Sequence, residues 1–408
     1  MDKKVYGVLS LPVIVGALGY FVDIYDLLLF SIIRKGSLTD LGVAGDQVTS
    51  VGENIISIQM IGLLIGGIIW GIMGDKRGRL SVLFGSIILY SLANIVNGFV
   101  VNTTQYAIVR FIAGVGLAGE LGAGITLVSE LISKEKRGIA TSMVAGIGLT
   151  GAVFAFVMKE EFSWRTCYFI GGGLGLLLLI LRISVFESGM FTEVKKMNVQ
   201  RGNFLMLFNN ADRFKRYLLG ILIGLPTWFV IGVLVTFSSE FATQMGIKEK
   251  IDPGKAVMFS YAAISVGDIL VGFVSQWFRS RKKALFLFYG ITAVFMILFF
   301  TVQWNGSAAM MYWICAGLGF GTGFWAIFVT MGAEQFGTNI RATAATTIPN
   351  MVRGMLALFI IPLFKGLRSV TDYYTGGWIA AIIIMIIAII AAINTKETFG
   401  KDLNFVEN

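Results

Sequence analysis

The chain has 408 residues, of which 56% are hydrophobic and 14% charged, with a mean hydropathy of +0.79. Soluble domains carry about 45–50% apolar and about 25% charged residues, so too little polar surface remains to coat a water-soluble globule, and the composition is that of a polytopic, all-α membrane protein. Histidine is absent, which excludes Ser-His-Asp triads, HExxH metal sites and imidazole-bound haem. The two cysteines, Cys167 and Cys315, both lie in apolar runs and read as small buried hydrophobes. No enzyme activity, metal or cofactor is expected.

Crossing a hydrocarbon core of about 30 Å takes about 20 residues. In chain order the qualifying runs are 7–33, 51–73, 80–100, 105–132, 139–159, 165–187, 217–245, 256–278, 284–303, 307–333, 342–365 and 377–394, which makes twelve. Lys3 and Lys4 precede the first, which is too long for a signal-peptide core and is expected to be retained. The longest connection splits the runs six and six. This predicts an N-terminal six-helix bundle over 1–187, a central loop over 188–216, a C-terminal bundle over 217–394 and a tail over 395–408. Within that loop, Asn203–Tyr217 mixes Phe and Leu with Arg213, Lys215 and Arg216 and predicts an amphipathic surface helix or a linker.

Basic residues fall mainly in alternate connections: Lys76, Arg77 and Arg79; Lys134, Lys136 and Arg137; the central loop; Arg279 to Lys283; Arg341; Lys396 and Lys401. The positive-inside rule then places both termini in the cytoplasm. The net charge of +9 reports topology, and no nucleic-acid partner is expected. The bilayer and a small solute are the expected partners of a monomeric chain.

The halves repeat. Glu130 and Arg137 follow the fourth span, and Glu334 and Arg341 follow the tenth at the same spacing. Gly71-Ile-Met-Gly-Asp75-Lys-Arg-Gly-Arg79 between spans two and three has a looser echo at Gly272–Arg281, where Gln276 replaces the aspartate. Duplicated six-span halves with a site between them are an architecture of alternating-access transporters.

Five segments carry a family resemblance. Gly71–Arg79 resembles the signature of the major facilitator superfamily, and Arg110–Glu120 resembles span four of its sugar, phosphate and metabolite–proton symporter branches. Phe186-Glu187-Ser188, Glu334-Gln-Phe-Gly-Thr-Asn-Ile-Arg341 and Lys396–Leu403 resemble further motifs of those branches, each without its proline. The resemblance implies the major facilitator fold, with twelve helices in two pseudo-symmetric bundles. It also implies gating roles for Asp75, Arg79, Glu130, Arg137, Glu334 and Arg341. Asp23-Ile-Tyr25-Asp26-Leu27 is similar to a stretch that supplies substrate and proton contacts in phosphate porters. The twelve-residue spacing of Arg341 and Arg353 resembles that of organic-anion and aromatic-acid carriers, whose span-eleven arginine faces the cavity.

An ionisable group at the bilayer centre costs at least about 2.5–3.5 kcal/mol and is a functional candidate by default. Asp23, Asp26, Arg110, Glu120, Asp268 and Arg353 lie at that depth, whereas Arg182 is expected to snorkel and Glu53 and Glu240 to reach the headgroups. A span-one to span-four ion pair involving Arg110 is expected, either a fixed tether or an exchangeable proton site. Arg353 is expected to grip a substrate carboxylate, to pair with Asp268, or to exchange one for the other. Four carboxylates against two arginines leave acids whose least costly state is protonated, so Asp23, Asp26, Glu120 and Asp268 are the candidate proton carriers. Arg110, Arg353, Tyr25, Trp228 and Trp325 are the candidate substrate contacts. The expected function is proton-coupled uptake of a small organic anion across a bacterial or archaeal inner membrane. A proton-driven exporter, or a carrier of phosphate, an amino acid or another zwitterion, remains the alternative.

Overall fold

The computed structural model describes residues 7, 9–45, 47–133, 136–181, 200–301 and 306–407. Lys3, Lys4, Lys134, Arg182 and the Phe186–Ser188 motif lie outside the described residues. Among the described residues, twelve helices are long and apolar enough to cross a membrane: α1 Leu11–Asp40, α2 Ser50–Arg77, α3 Arg79–Asn97, α4 Thr103–Leu131, α5 Arg137–Glu161, α6 Trp164–Leu181, α7 Ala211–Val235, α8 Pro253–Phe278, α9 Arg281–Thr301, α10 Ala308–Glu334, α11 Arg341–Val370 and α12 Tyr373–Asn394. The protein is a multi-pass membrane protein.

Several helix starts follow from capping side chains. Asn102, Asn210, Asp252, Ser307 and Asp372 each accept a hydrogen bond from a first-turn N–H of α4, α7, α8, α10 and α12, and Pro253 occupies the first position of α8. The Asn210 cap starts α7 at Ala211, six residues before the expected boundary. Of the two readings of 203–217, an amphipathic helix or a linker, the continuous helix is not formed: a short 3-10 turn, Phe204–Leu207, leads into the first turns of α7. Phe204 and Phe208 pack their rings on each other and on Tyr217.

Spans four and ten are each broken near their middle. α4 consists of Thr103–Leu117 (α4a) and Glu120–Leu131 (α4b), and α10 of Ala308–Gly321 (α10a) and Trp325–Glu334 (α10b). The breaks fall at equivalent places in the two halves. The helix pairs that include these spans pack with backbones almost touching. A Cβ on Gly114 of α4 would fall 2.3 Å from the Gln59 carbonyl of α2, and one on Gly319 of α10 would fall 2.2 Å from the Ser260 carbonyl of α8. Small residues at helix interfaces allow such approach.

The halves meet chiefly where α2 packs on α11 and α5 on α8. α1, α4, α7 and α10 are the most enclosed helices, and α6 and α9 present most of their side chains outward.

Candidate functional site

A cavity of about 20 Å³ lies between the halves, lined by residues of α1, α5, α7, α8, α10 and α11. Its polar centre is Arg353, 1% exposed, whose guanidinium sits 6.0 Å from the Trp228 ring and 5.9 Å from the Trp325 ring. The two indoles meet edge to face at 6.4 Å, and Tyr20, Tyr261 and the apolar Ile24, Leu149 and Ile264 line it with Thr227. Arg353 donates to Asn350 Oδ1 at 3.2 Å and, at the limit of hydrogen bonding, to the Tyr20 hydroxyl at 3.5 Å. A guanidinium over aromatic faces is held by cation–π attraction and keeps a planar fork of donors for a carboxylate. The volume is close to that of a single water, so the side chains must part before a solute can enter.

Asp268 does not pair with Arg353. It accepts from the Ala326 N–H at 2.9 Å, at the start of α10b. A carboxylate there satisfies an orphaned N–H and complements the positive end of the half-helix. Of the arrangements expected for Arg353, a standing pair with Asp268 is therefore not the one adopted. α8 turns Asp268 toward the break in α10, away from α11.

Arg110 forms the expected ion pair, with Asp26 at 2.7 Å, and also donates to the Asp26 carbonyl, Gln59 and Asn94 while lying over the Tyr168 ring. All these partners belong to α1, α2, α3 and α6. Arg110 is thus removed from the cavity lining, because its donors are consumed inside the N-terminal half. Tyr25 is removed too. Its hydroxyl donates to the Cys167 carbonyl and its ring packs on Phe154. Asp23 lies one turn from the cavity residue Tyr20 and within electrostatic reach of its hydroxyl. Glu120, 1% exposed, is the first residue of α4b.

At the end of the bundle that carries the tail, two charge clusters close the seam. Glu130 accepts from Arg79 at 2.9 Å and from Arg341, across the halves, at 3.0 Å. Glu334 pairs with Arg281 at 3.2 Å and, across the halves, with Arg137 at 3.5 Å. The four arginines are the first residues of α3, α11, α9 and α5, and the two glutamates lie in the last turns of α4b and α10b. Each charge is at the unfavourable end of its own helix dipole, so each depends on its partners. Asp75 accepts from the N–H groups of Ala342 and Thr343 at 3.0 and 2.8 Å, bonding α2 to the start of α11.

The tail reinforces this seam. Arg341 and the Thr338 hydroxyl donate to the Leu403 carbonyl, Arg137 to that of Lys401, and Arg216 pairs with Glu407. Arg281 is a member that sequence reasoning missed. It was visible as the repeat counterpart of Arg79 and was read only as a topology charge. Gln276, in the position equivalent to Asp75, has a buried Oε1 with no hydrogen-bond partner among the described residues.

At the opposite end two ion pairs join the halves: Glu53 of α2 with Lys365 of α11 at 3.4 Å, and Lys159 of α5 with Asp252 before α8 at 3.8 Å. Glu53, set aside in sequence as a headgroup-facing residue, is therefore a contact between halves. Beside the second pair a vestibule of about 690 Å³ lies between the end of α1, Lys159, Trp164 and residues 250–254.

A small cavity between two repeated halves, with ion pairs across both ends of the seam, is the arrangement of a membrane solute carrier. The family model for the Major Facilitator Superfamily matches residues 16–362. The chain belongs to the major facilitator superfamily, whose members are transporters and not enzymes. Among its relatives, the niacin transporter NiaP of Acinetobacter baylyi is 26% identical over 396 residues, covering 86% of this chain and 87% of that one. The 3-(3-hydroxy-phenyl)propionate transporter of Escherichia coli is 26% identical over 331 residues, with 80% of each chain covered. The structure of the proton:xylose symporter XylE bound to 6-bromo-6-deoxy-D-glucose superposes with a TM-score of 0.78 at 16% identity, over 97% of each chain, and shares the fold.

Proposed function

We propose that the protein is a proton-coupled symporter of a small, flat organic anion, acting as a single chain in a bacterial inner membrane with the tail end of the bundle in the cytoplasm. The observation that carries this reading is Arg353, buried at the small cavity between the halves and lying against both Trp228 and Trp325. A carboxylate takes the guanidinium fork by displacing the long Tyr20 bond and the Asn350 bond, while an aromatic ring stacks against the indoles. The relatives named for niacin and 3-(3-hydroxy-phenyl)propionate carry substrates of that shape and support the reading.

Opening the vestibule end admits the anion, and breaking the tail-end clusters releases it. The protons are assigned to Asp23, one turn along α1 from the cavity residue Tyr20, and to Glu120, buried at the start of α4b. The test is uptake of nicotinate and benzoate into proteoliposomes under an imposed pH gradient. Accumulation should follow the gradient and collapse with a protonophore. Arg353→Ala should raise KM at least tenfold, and Asp23→Asn should abolish accumulation while sparing exchange of preloaded substrate. Uptake that ignores the gradient, or unchanged affinity in Arg353→Ala, would refute the proposal.

A further inference from the structure

Asn350 is buried on α11, one turn before Arg353, and its amide is used in three directions. Oδ1 accepts from Arg353 at 3.2 Å, and Nδ2 donates to the Thr346 carbonyl and to the Ala118 carbonyl, both at 2.8 Å. Two carbonyls on one side and a guanidinium on the other fix which end of the amide is oxygen, since carbonyls only accept and guanidinium only donates. Steric contacts hold the group in place. A Cβ on Gly67 of α2 would fall 2.9 Å from the Asn350 Cβ, and one on Gly122 of α4b would fall 2.4 Å from the Thr346 Cα.

Ala118 lies in the break of α4, two residues before Glu120. The half-helix that follows, α4b, has 12 residues, a rod of about 18 Å at 1.5 Å per residue. Its far end carries Glu130, which binds Arg341 across the halves at 3.0 Å. Arg341 and Asn350 are on the same helix, α11. One helix of the C-terminal half therefore straps a half-helix of the N-terminal half at both ends, once beside the anion site and once at the tail-end cluster.

The geometry points to Asn350 as the positioning residue that relays occupancy of the Arg353 site to the tail-end gate through α4b. This rests on Arg353 being the anion site. A carboxylate that takes the guanidinium draws it off Asn350 Oδ1. A buried carbonyl oxygen left without a donor is unfavourable, so the amide reorients, and its bond to Ala118 is lost with it. Of the two polar ties, α4b then keeps Glu130–Arg341, and its start, packed on Thr346 through Gly122, loses its hydrogen-bonded anchor to α11. No bond of the substrate is altered, and Asn350 need not touch it.

The experiment compares the full-length protein with Asn350→Ala and Asn350→Gln, using nicotinate and benzoate as probes. Two quantities are read: ligand affinity by equilibrium binding, and the ligand-induced change in distance between spin labels at Arg77→Cys and Lys283→Cys on the two halves of the tail end. Asn350→Ala should keep its affinity within about threefold of the parent and lose the ligand-induced change. Its accumulation ratio under a pH gradient should fall at least tenfold, while exchange persists. Asn350→Gln, which retains both ends of the amide, should recover part of the response. A full ligand-induced change in Asn350→Ala would overturn the relay, and so would a loss of affinity as large as in Arg353→Ala. If Asn350→Ala does not yield monodisperse protein, Asn350→Ser, whose single short hydroxyl does not bridge Arg353 and the Ala118 carbonyl as the amide does, is read by the same criteria. Failure of the parent protein to bind either probe refutes the anion site. Binding without gradient-driven uptake refutes proton coupling and leaves the relay to be decided by the distances.

Discussion

Replacing Glu130 by glutamine removes one charge from a buried cluster while keeping its shape. Glu130 holds Arg79 at 2.9 Å and Arg341 at 3.0 Å, and the side chains of all three are fully buried. Breaking a buried ion pair by deleting one partner costs about 3–5 kcal/mol. Only part of this bears on gating, because the Arg79 contact lies within the N-terminal half and persists when the halves part. Assigning roughly half to the Arg341 contact gives about 2 kcal/mol against the closed tail end, or a shift of about 30-fold in its equilibrium. Spin labels at Arg77→Cys and Lys283→Cys read the gate, since both positions are exposed and the native Cys167 and Cys315 are buried. The variant should show a new, longer distance population without any ligand. Glu334→Gln should shift it less, because its bond across the halves to Arg137 is longer, 3.5 Å, and Arg137 retains the Ser129 carbonyl at 2.8 Å. An unchanged distribution in Glu130→Gln, or a larger shift in Glu334→Gln, would refute the reasoning.

Asp26→Asn should lower thermal stability in detergent by the equivalent of about 3–5 kcal/mol, because it strands a buried guanidinium. Adding Arg110→Gln should restore most of the loss, and a single variant as stable as the parent would show that the pair is no tether. Glu397 gives a pH prediction outside the membrane. Burial raises its pKa, but hydrogen bonds from the Ser280 hydroxyl and from the Phe399, Arg281 and Lys282 N–H groups outweigh that and hold the carboxyl below its usual 4.5. A depressed carboxyl pKa stabilises docking above about 4.5 and loses that contribution only as pH falls through the lower value. Amide exchange of residues 398–407, corrected for its intrinsic pH dependence, should therefore be constant from pH 8 to 5 and rise in Glu397→Gln. An increase in the parent between pH 7 and 5 would contradict this.

Depth in the membrane was legible in the sequence, but direction around each helix was not. Counting residues placed Arg353 and Asp268 at one level, and the pairing failed because α8 faces the break in α10. The same limit applies to Arg110 and Tyr25, which lie at the right depth and turn into the N-terminal half. Trp228 and Trp325 were found because they lie in spans expected to line a cavity. The breaks at 118–119 and 322–324 escaped because hydropathy records composition and not hydrogen bonding. Glycines border both breaks, at 114, 116 and 119 and at 317, 319, 321 and 323, and lower helix propensity without making the span polar. Arg281 shows the converse, a residue whose counterpart in the repeat was visible and whose positive charge was given a simpler role.

The two ends of the seam respond differently to dissolved salt. The Glu53–Lys365 and Lys159–Asp252 pairs involve partly exposed side chains, so each contributes about 0–1 kcal/mol. Ions at physiological strength screen such pairs, with a Debye length of about 8 Å. The Glu130 and Glu334 clusters are almost fully buried and lie beyond the reach of that screening. Ionic strength is thus a lever on one side of the carrier only. Raising it loosens the vestibule end and leaves the tail end shut, so the salinity of the surroundings biases the empty protein toward presenting its site on that face.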